Sequence, residues 1–508
     1  MKLICLKNLL LTVCICLSQV MALANSPSPT GIFRPMAGEI PLSEDNYECI
    51  YRAVDNLKSL GLLGNFNDRP YDAARLRSGL GQIDTIGLTS AGRQAYSYLR
   101  ARLGNEAQPN GFGTGIDIGA IAETAKGSDF NWRLYPQIEY QRSNFYLISR
   151  YTIESGLVDE PRYQGNKWRG FGGYGSNVYG TYQTHNFQAF LGRRRIEWGP
   201  GRSGSLILSG ISMPYDGLSV DARLGRNFNF SAFTFFLDPF QDTSGIFQER
   251  YLSGHRLLWM PGPSFNLGFS EIVIYGGEGR NPEIYYIIPL FFLHGSQLNQ
   301  RRDDNAFIEA DFRWSPVRAT EIYGQLLLDD FQIENKTLQD HEPAEYGFLA
   351  GLYRSDIPGL RFFEIRTEYA RVTNRTYNQP LPRNRYLNQG YYIGHPLGND
   401  GDTWLTEVTF RPAGNFWAAI KYSYARKGEG KVEIQWTEPW LLTETYGEKF
   451  PTGIVQNTRE LSINVEYWLY GNLRSSIRGW IGSISNVDNV SGLKDNYSGI
   501  RFSIDILL

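Results

Sequence analysis

From about residue 111 to the end, apolar and polar residues alternate, and the polar positions repeatedly carry charge. Between residues 132 and 141, Trp132, Leu134, Ile138 and Tyr140 interleave with Arg133, Gln137 and Glu139. Phe363, Ile365, Thr367 and Tyr369 interleave with Glu364, Arg366 and Glu368, and Leu461, Ile463, Val465, Tyr467 and Leu469 with Ser462, Asn464 and Glu466. Successive strand side chains point to opposite faces, so each segment offers one apolar and one charged face. One such segment suits any half-buried strand. Many of them, with Glu and Arg on the inner positions, require a wet interior. Pro136 breaks the alternation and predicts a bulge.

The connections narrow the choice further. Short turns fall near residues 142–144, 185–186, 225–227, 262–263, 316–318, 356–359, 412–415 and 470–472. Long loops fall between them, near 155–173, 198–216, 238–249, 276–305, 330–344, 372–401, 427–459 and 485–495. This strict parity is the habit of outer-membrane barrels, with short turns on the periplasmic side and long loops outside. With a first strand around 114–124, it predicts an all-β transmembrane barrel over residues 111–508, of about 18 antiparallel strands and with both ends on the short-turn side. The composition also fits a soluble sandwich or propeller, with 54 glycines and 61 Tyr plus Phe residues. Order along the chain decides for the barrel. In the last strand Ile500, Phe502, Ile504, Ile506 and Leu508 share one face, and Tyr497-x-Gly499-x-x-Phe502-x-Ile504 looks like the C-terminal signal read by the barrel-insertion machinery.

Residues 1–24 read as an export signal: Lys2 and Lys7, an apolar run, then Ala22-Leu23-Ala24 as a small-x-small cleavage site. The expected mature chain starts at Asn25 and keeps only Cys49, so neither a disulfide framework nor a cysteine metal site is expected. Losing two lysines leaves a formal charge of about −4, against nucleic acid as a partner. Residues 25–110 are expected to form a small periplasmic helical segment. Tyr47, Ile50, Val54 and Leu57 recur at helical spacing, with Ser43 as N-cap and Gly61 as stop. A short turn follows Pro70, and Thr89 or Ser90 caps a third segment whose Ala95, Tyr98, Leu99 and Leu103 share a face. Cys49 in the first helix reads as a buried apolar residue.

The stretch 192–209 is the most unusual. Arg193-Arg194-Arg195 precede Ile196-Glu197-Trp198 and a Gly199-Pro200-Gly201 bend. Loop parity puts 192–197 on the fifth strand, with the bend at its outer end. Period two then places Arg193, Arg195 and Glu197 toward the lumen, and leaves Arg194 to be shielded or to sit at a bulge.

Several motifs in order resemble the Wzi-like capsule assembly family. They are Gly192-Arg193 through Trp198-Gly199-Pro200-Gly201, Gly204-Ser205-Leu206, Pro214-Tyr215-Asp216-Gly217-Leu218, Tyr275-Gly276-Gly277, Asn281-Pro282, Asp303-Asp304-Asn305-Ala306, Asp311-x-x-Trp314-x-Pro316 and Asp400-Gly401 before Trp404. The resemblance implies an outer-membrane barrel over a periplasmic helical bundle. Its partners would be outer-membrane lipid and a capsular or other surface polysaccharide, held in the manner of a lectin. It implies no catalytic set and no cofactor.

The residues alone give catalysis little support. Residues 199–205 lack the lysine of a phosphate loop, 201–204 miss G-x-S-x-G by one position, and the five histidines show no ligand spacing. Asp303-Asp304 could serve glycoside cleavage, or simply sit in a solvated loop. Sugar sites combine aromatic faces with dense hydrogen-bonding groups. On that chemistry the candidates are Tyr163, Trp168 and Tyr174, Tyr391 and Tyr392, and Trp436 and Trp440 on three long loops, with Arg193, Arg195 and Arg202 as cations for an acidic polymer. Aromatics also build the interface girdle and pack loops together, and charged residues also brace barrel walls. A polar lumen further admits a diffusion channel, and carboxylates a barrel hydrolase.

Overall fold

The computed structural model describes residues 38–508 except 43, 65, 105–109, 126–128, 243, 289–292, 294–302, 331–340, 443–445 and 470–471. The expected signal, residues 1–24, and the Ser43 cap lie outside the described residues. Eighteen antiparallel strands close into a barrel. They are β1 Gly111–Glu123, β2 Asp129–Arg142, β3 Phe145–Glu154, β4 Gly172–Gln183, β5 Phe187–Arg194, β6 Tyr215–Leu224, β7 Phe228–Phe236, β8 Phe247–Gly262, β9 Phe265–Gly277, β10 Asn305–Trp314, β11 Thr320–Asp330, β12 Glu345–Ile357, β13 Leu360–Val372, β14 Gly401–Ala413, β15 Phe416–Lys427, β16 Gln456–Leu469, β17 Leu473–Ser485 and β18 Lys494–Leu507. Each strand pairs with the next, and β18 returns to β1 from Asp117↔Leu507 to Glu123↔Arg501, so the main sheet has no free edge.

The alternation read from the sequence is the one that closes the wall. In β13, Glu364, Arg366 and Glu368 are buried inward while Phe363, Ile365 and Tyr369 face out. In β18, Ser503 and Asp505 are buried while Ile500, Phe502, Ile504 and Ile506 are exposed. Pro136 leaves a gap in the ladder to β3 without shifting its register, which runs Leu134↔Ile153 and then Gln137↔Arg150. The irregularity sits one strand further on, between Arg150 and Tyr151, where β4 carries the extra residue Ser176.

Among the described residues three helices precede the barrel: α1 Asp45–Ser59, α2 Ala73–Gly81 and α3 Ser90–Leu103. Asp72 and Thr89 cap α2 and α3 by accepting from Arg75 and Gly92 backbone N–H groups. The helix α1 ends before Gly61, whose φ of 78° suits glycine. Twelve of the fifteen α1 residues are buried, including Asn46, Asp55, Asn56 and Lys58. Only Asp45, Glu48 and Arg52, along one face of its first two turns, keep exposed surface, and a helix otherwise buried with polar groups among its buried residues must lie inside a polar container. That container is the lumen. Tyr47 donates to Asp117 on β1 (2.9 Å), Cys49 Sγ to Glu466 on β16 (2.8 Å) and Asn56 to Glu364 on β13 (2.9 Å). Arg52 pairs with Glu407 on β14. Cys49 is thus buried as expected, and also bonded to a carboxylate. The wall charges pair among themselves as well: Arg474 bridges Glu466 (2.7 Å) and Asp505 (2.8 Å), and Arg313 meets Glu321 at 2.6 Å. Buried charges persist only when paired in this way.

Gly192 on β5 has φ +137°, and a Cβ there would stand 2.3 Å from the Val178 carbonyl oxygen. Gly192→Ala is therefore expected to destabilise the barrel by about 1–3 kcal/mol. A urea midpoint followed by the heat-modifiable gel shift would check it, and an unchanged midpoint would show that β4 and β5 can part freely.

Candidate functional site

The faces of β5 are the reverse of the sequence expectation. Leu191 is 68% exposed and Phe190 3%, so the odd positions face out and the even ones in. Two adjacent apolar residues leave period two without an anchor, and Phe190 takes the inner side because the Tyr179 ring packs against it, tilted, at 5.0 Å. Arg194 is the lumen arginine, lying over the Phe190 ring at 4.0 Å and paired with Glu39. Arg193 points outward and clasps Asp216, its register partner on β6, with Nε to Oδ1 at 2.6 Å.

The bend does not sit at the outer end of the strand either. After Arg194 the chain turns into the lumen, where Glu197–Trp198 pair with Leu208–Ser209. Glu197 and Arg69 exchange backbone hydrogen bonds of 2.9 Å in both directions. Gly199, with φ +104°, passes so close to Gln325 that a Cβ would lie 2.1 Å from it. Arg202 and Ser203 then turn their N–H groups onto the Glu368 carboxylate at 2.8 and 2.7 Å. The Arg202 guanidinium reaches Asp55 of α1 at 2.8 Å and is 4% exposed. Arg202 therefore ties this inward loop to the helices, and offers no cation to a polymer outside.

The loop 373–400 covers the inward one. Tyr377 and Tyr386 donate to the carbonyls of Leu206 (2.6 Å) and Ile207 (2.8 Å), and Ser209 N–H to that of Ile393 (3.0 Å). Arg250 on β8 holds the covering loop by donating to three of its carbonyls, those of Arg383, Arg385 and Leu387, each at 2.8 Å. Leu206, Ile207, Leu208, Tyr386 and Ile393 have no exposed surface, so the two loops form an apolar plug inside the long-loop half, against β6–β13. On the opposite side the inward residues stay wet: Arg478 and Arg501 keep 42% and 39% of their side-chain surface while pairing with Glu460 and Glu123.

Above the plug, two of the predicted residues, Tyr391 and Tyr392, meet Arg162, which sequence reasoning missed, and two more, Tyr174 and Arg195, lie beside them. Arg162 lies 5.7 Å from the Tyr391 ring centre and 5.3 Å from that of Tyr392. Burial and the Glu160 carboxylate push Tyr391 up to about 12, and burial and Glu433 do the same for Tyr392. Tyr174 is close enough to add to the Tyr391 shift, and its hydroxyl accepts from Arg195 at 3.2 Å. The result is a half-exposed group of phenols, guanidiniums and carboxylates, able to stack on an apolar sugar face and to bond its hydroxyls or acid groups. Nothing in the sequence distinguishes Arg162 from other loop arginines. The contact spans more than 200 positions and is made by folding.

The other candidates lie elsewhere. Tyr163 is 7% exposed and braces its own loop, exchanging bonds with Gly173 N–H and C=O at 2.9 Å. Trp440 is fully buried beneath Arg375 at 4.6 Å, and Arg375 pairs with Glu448 at 2.6 Å. Tyr163, Trp440 and Arg202 are thus internal, because long loops this close-packed need their own core. Trp168 is exposed but packs on Phe171 (5.2 Å), which packs on Trp132 of the outward barrel face (5.5 Å), an arrangement suited to an interfacial girdle. Trp436 is half-buried on the loop after β15.

Ser203, His395 and Glu368 touch and superficially resemble a hydrolase triad. Their hydrogen bonds run the wrong way. Leu397 N–H donates to His395 Nδ1 at 3.2 Å, so the neutral ring carries its proton on Nε2 and donates to Ser203 Oγ at 3.1 Å. Ser203 in turn donates to Glu368. Burial holds His395 down to about 4, so it stays neutral, and a base already protonated toward the serine cannot activate it. Asp304 is likewise committed, to Arg280 at 2.5 Å and the Tyr286 hydroxyl at 2.9 Å.

The family model of the capsule assembly protein Wzi matches residues 113–497. Among solved structures the chain is similar to Wzi of Escherichia coli, an outer membrane protein involved in group 1 capsule assembly and a carbohydrate-binding β-barrel. The identity is 16% over 92% of this chain and 99% of that one, with a TM-score of 0.63. It is also similar to OprD of Pseudomonas aeruginosa, at 9% identity over 84% and 99% of the two chains and a TM-score of 0.44. No curated protein sequence matches this chain.

Proposed function

The chain belongs to the Wzi capsule assembly family, and from that premise we propose that this outer-membrane barrel attaches capsular or other surface polysaccharide to the cell through its long-loop mouth. The observation that carries the reading is the Arg162–Tyr391–Tyr392 group, with Tyr174 and Arg195 beside it, seated on the close-packed double-loop plug. The rings supply stacking faces, and the arginines and the Glu160 and Glu433 carboxylates supply hydrogen bonds to sugar hydroxyls and acid groups. Contacts of this kind are weak singly. A polymer that meets many barrels is held by their number. In this reading an N-terminal signal exports the chain, the long loops are extracellular and the helices fill the periplasmic mouth. Attachment needs neither a covalent step nor a through-channel.

The test is a strain lacking the protein, complemented with variants and scored for cell-bound against shed polymer. The triple variant Arg162→Ala, Tyr391→Ala, Tyr392→Ala is expected to lower retention several-fold while synthesis and export continue. Arg193→Gln, which alters only an outward ion pair, is expected to retain polymer like the parent. Equal retention by the triple variant, or loss of synthesis in the deletion strain, would overturn the reading.

A further inference from the structure

The helices do not fill the short-turn half evenly. Against β1, β13, β14 and β16 they bond directly to the wall, as the Asp117, Glu364, Glu407 and Glu466 contacts show. Against β4–β7 they stand off, leaving a half-open cavity of about 420 Å³ between α2 and the wall. It opens beside the β4–β5 and β6–β7 turns and ends on Ile196 and Trp198 of the inward loop. Its volume is within the range of small-molecule sites, about 300–1,000 Å³.

The lining is specific in kind. Gln183 and Gln188, register partners on β4 and β5, face it together with Asn229 on β7, so amides that can both donate and accept project from the wall. The four carboxylates and four arginines that line it cancel formally, leaving no net charge to gather a polyanion or polycation. Phe66 and Trp198 add apolar surface to the lining. Arg194 and Glu39 pair with each other there, yet Arg194 Nε and Glu39 Oε2 remain buried without a partner among the described residues. An apolar ligand would strand these groups, and a strongly charged one would meet as much repulsion as attraction. A hydroxyl-rich neutral molecule with apolar C–H faces meets neither objection.

We propose that this cavity is a second saccharide site, taking a short neutral oligosaccharide at the mouth opposite the long loops. It is separate from the Arg162 group in position, so the two can be tested independently.

The experiment is calorimetric titration of the full mature protein in detergent with maltotriose, cellotriose and chitotriose. At least one is expected to bind in the millimolar range or tighter. Asn229→Trp, which fills the cavity, and Gln188→Leu, which removes an amide, are each expected to weaken that binding ten-fold or more. The heat-modifiable gel shift reports that both variants are folded. The triple variant at the long-loop mouth is expected to bind like the parent. The proposal is overturned if none of the three sugars binds, if binding survives both cavity variants, or if the mouth variant abolishes it.

Discussion

Deleting residues 45–103 is expected to turn an electrically silent barrel into a conducting one in planar bilayers. Two plugs divide the lumen. The loops 195–214 and 373–400 occupy the long-loop half, with their apolar core against β6–β13. On the side of β16–β18 and β1, Arg478, Arg501, Glu460 and Glu123 all keep exposed side-chain surface. What closes that side is α1, through its bonds to Asp117, Glu407 and Glu466. Without the helices those carboxylates face water, which solvates them at little cost, and the closed ring of strand pairs remains. Replacing 199–208 by a short linker while keeping the helices is expected to leave the barrel silent. A silent helix-deletion protein that still shows the heat-modifiable shift would mean that the loops alone seal the lumen.

The second large effect is expected from Asp55→Ala. Asp55 is 2% exposed and answers Arg202 at 2.8 Å, with Arg69 and Arg366 each at 3.4 Å. Removing it leaves a cluster of buried guanidiniums without their shared anion, which costs about 3–5 kcal/mol. The lost stability should appear as a lower urea midpoint and as faster proteolysis of the helical segment. Burial alone would raise the Asp55 carboxyl, but Arg202, Arg69, Lys58 and Arg366 together hold it down to about 2. A folded-state value below the unfolded one gives stability that is present above the unfolded value of 3.8 and lost as pH falls through about 2. The parent is therefore expected to loosen between those limits, with Asp55→Ala showing less of that pH dependence. A flat parent profile over that window would show that the four cations do not share this anion.

Much of the architecture was legible because it follows from local rules. A barrel wall separates lipid from a polar lumen, so every strand repeats the same two-residue alternation, as in Glu364, Arg366 and Glu368 against Phe363, Ile365 and Tyr369. Alternating loop lengths then count the strands. The helical periodicity around Tyr47 and Val54 was readable for the same reason. Long-range assembly was not. Tyr174, Arg195, Tyr391 and Tyr392 could be nominated one at a time from residue type, but Arg162 joins them only when two loops meet.

The arginine-rich stretch shows where local reading stops. The sequence by itself determined that a strand runs into a glycine-proline bend, because charge density and Gly199-Pro200-Gly201 are local properties. Only the tertiary structure decided which way that strand faces and where the bend goes. Phe190 and Leu191 are equally apolar, and Tyr179 on the next strand selects Phe190 for the interior. Glu39, Asp55 and Glu368 then draw Arg194, Arg202 and the loop backbone into the lumen. Those partners lie far away along the chain, and a buried charge goes where its counter-charge is.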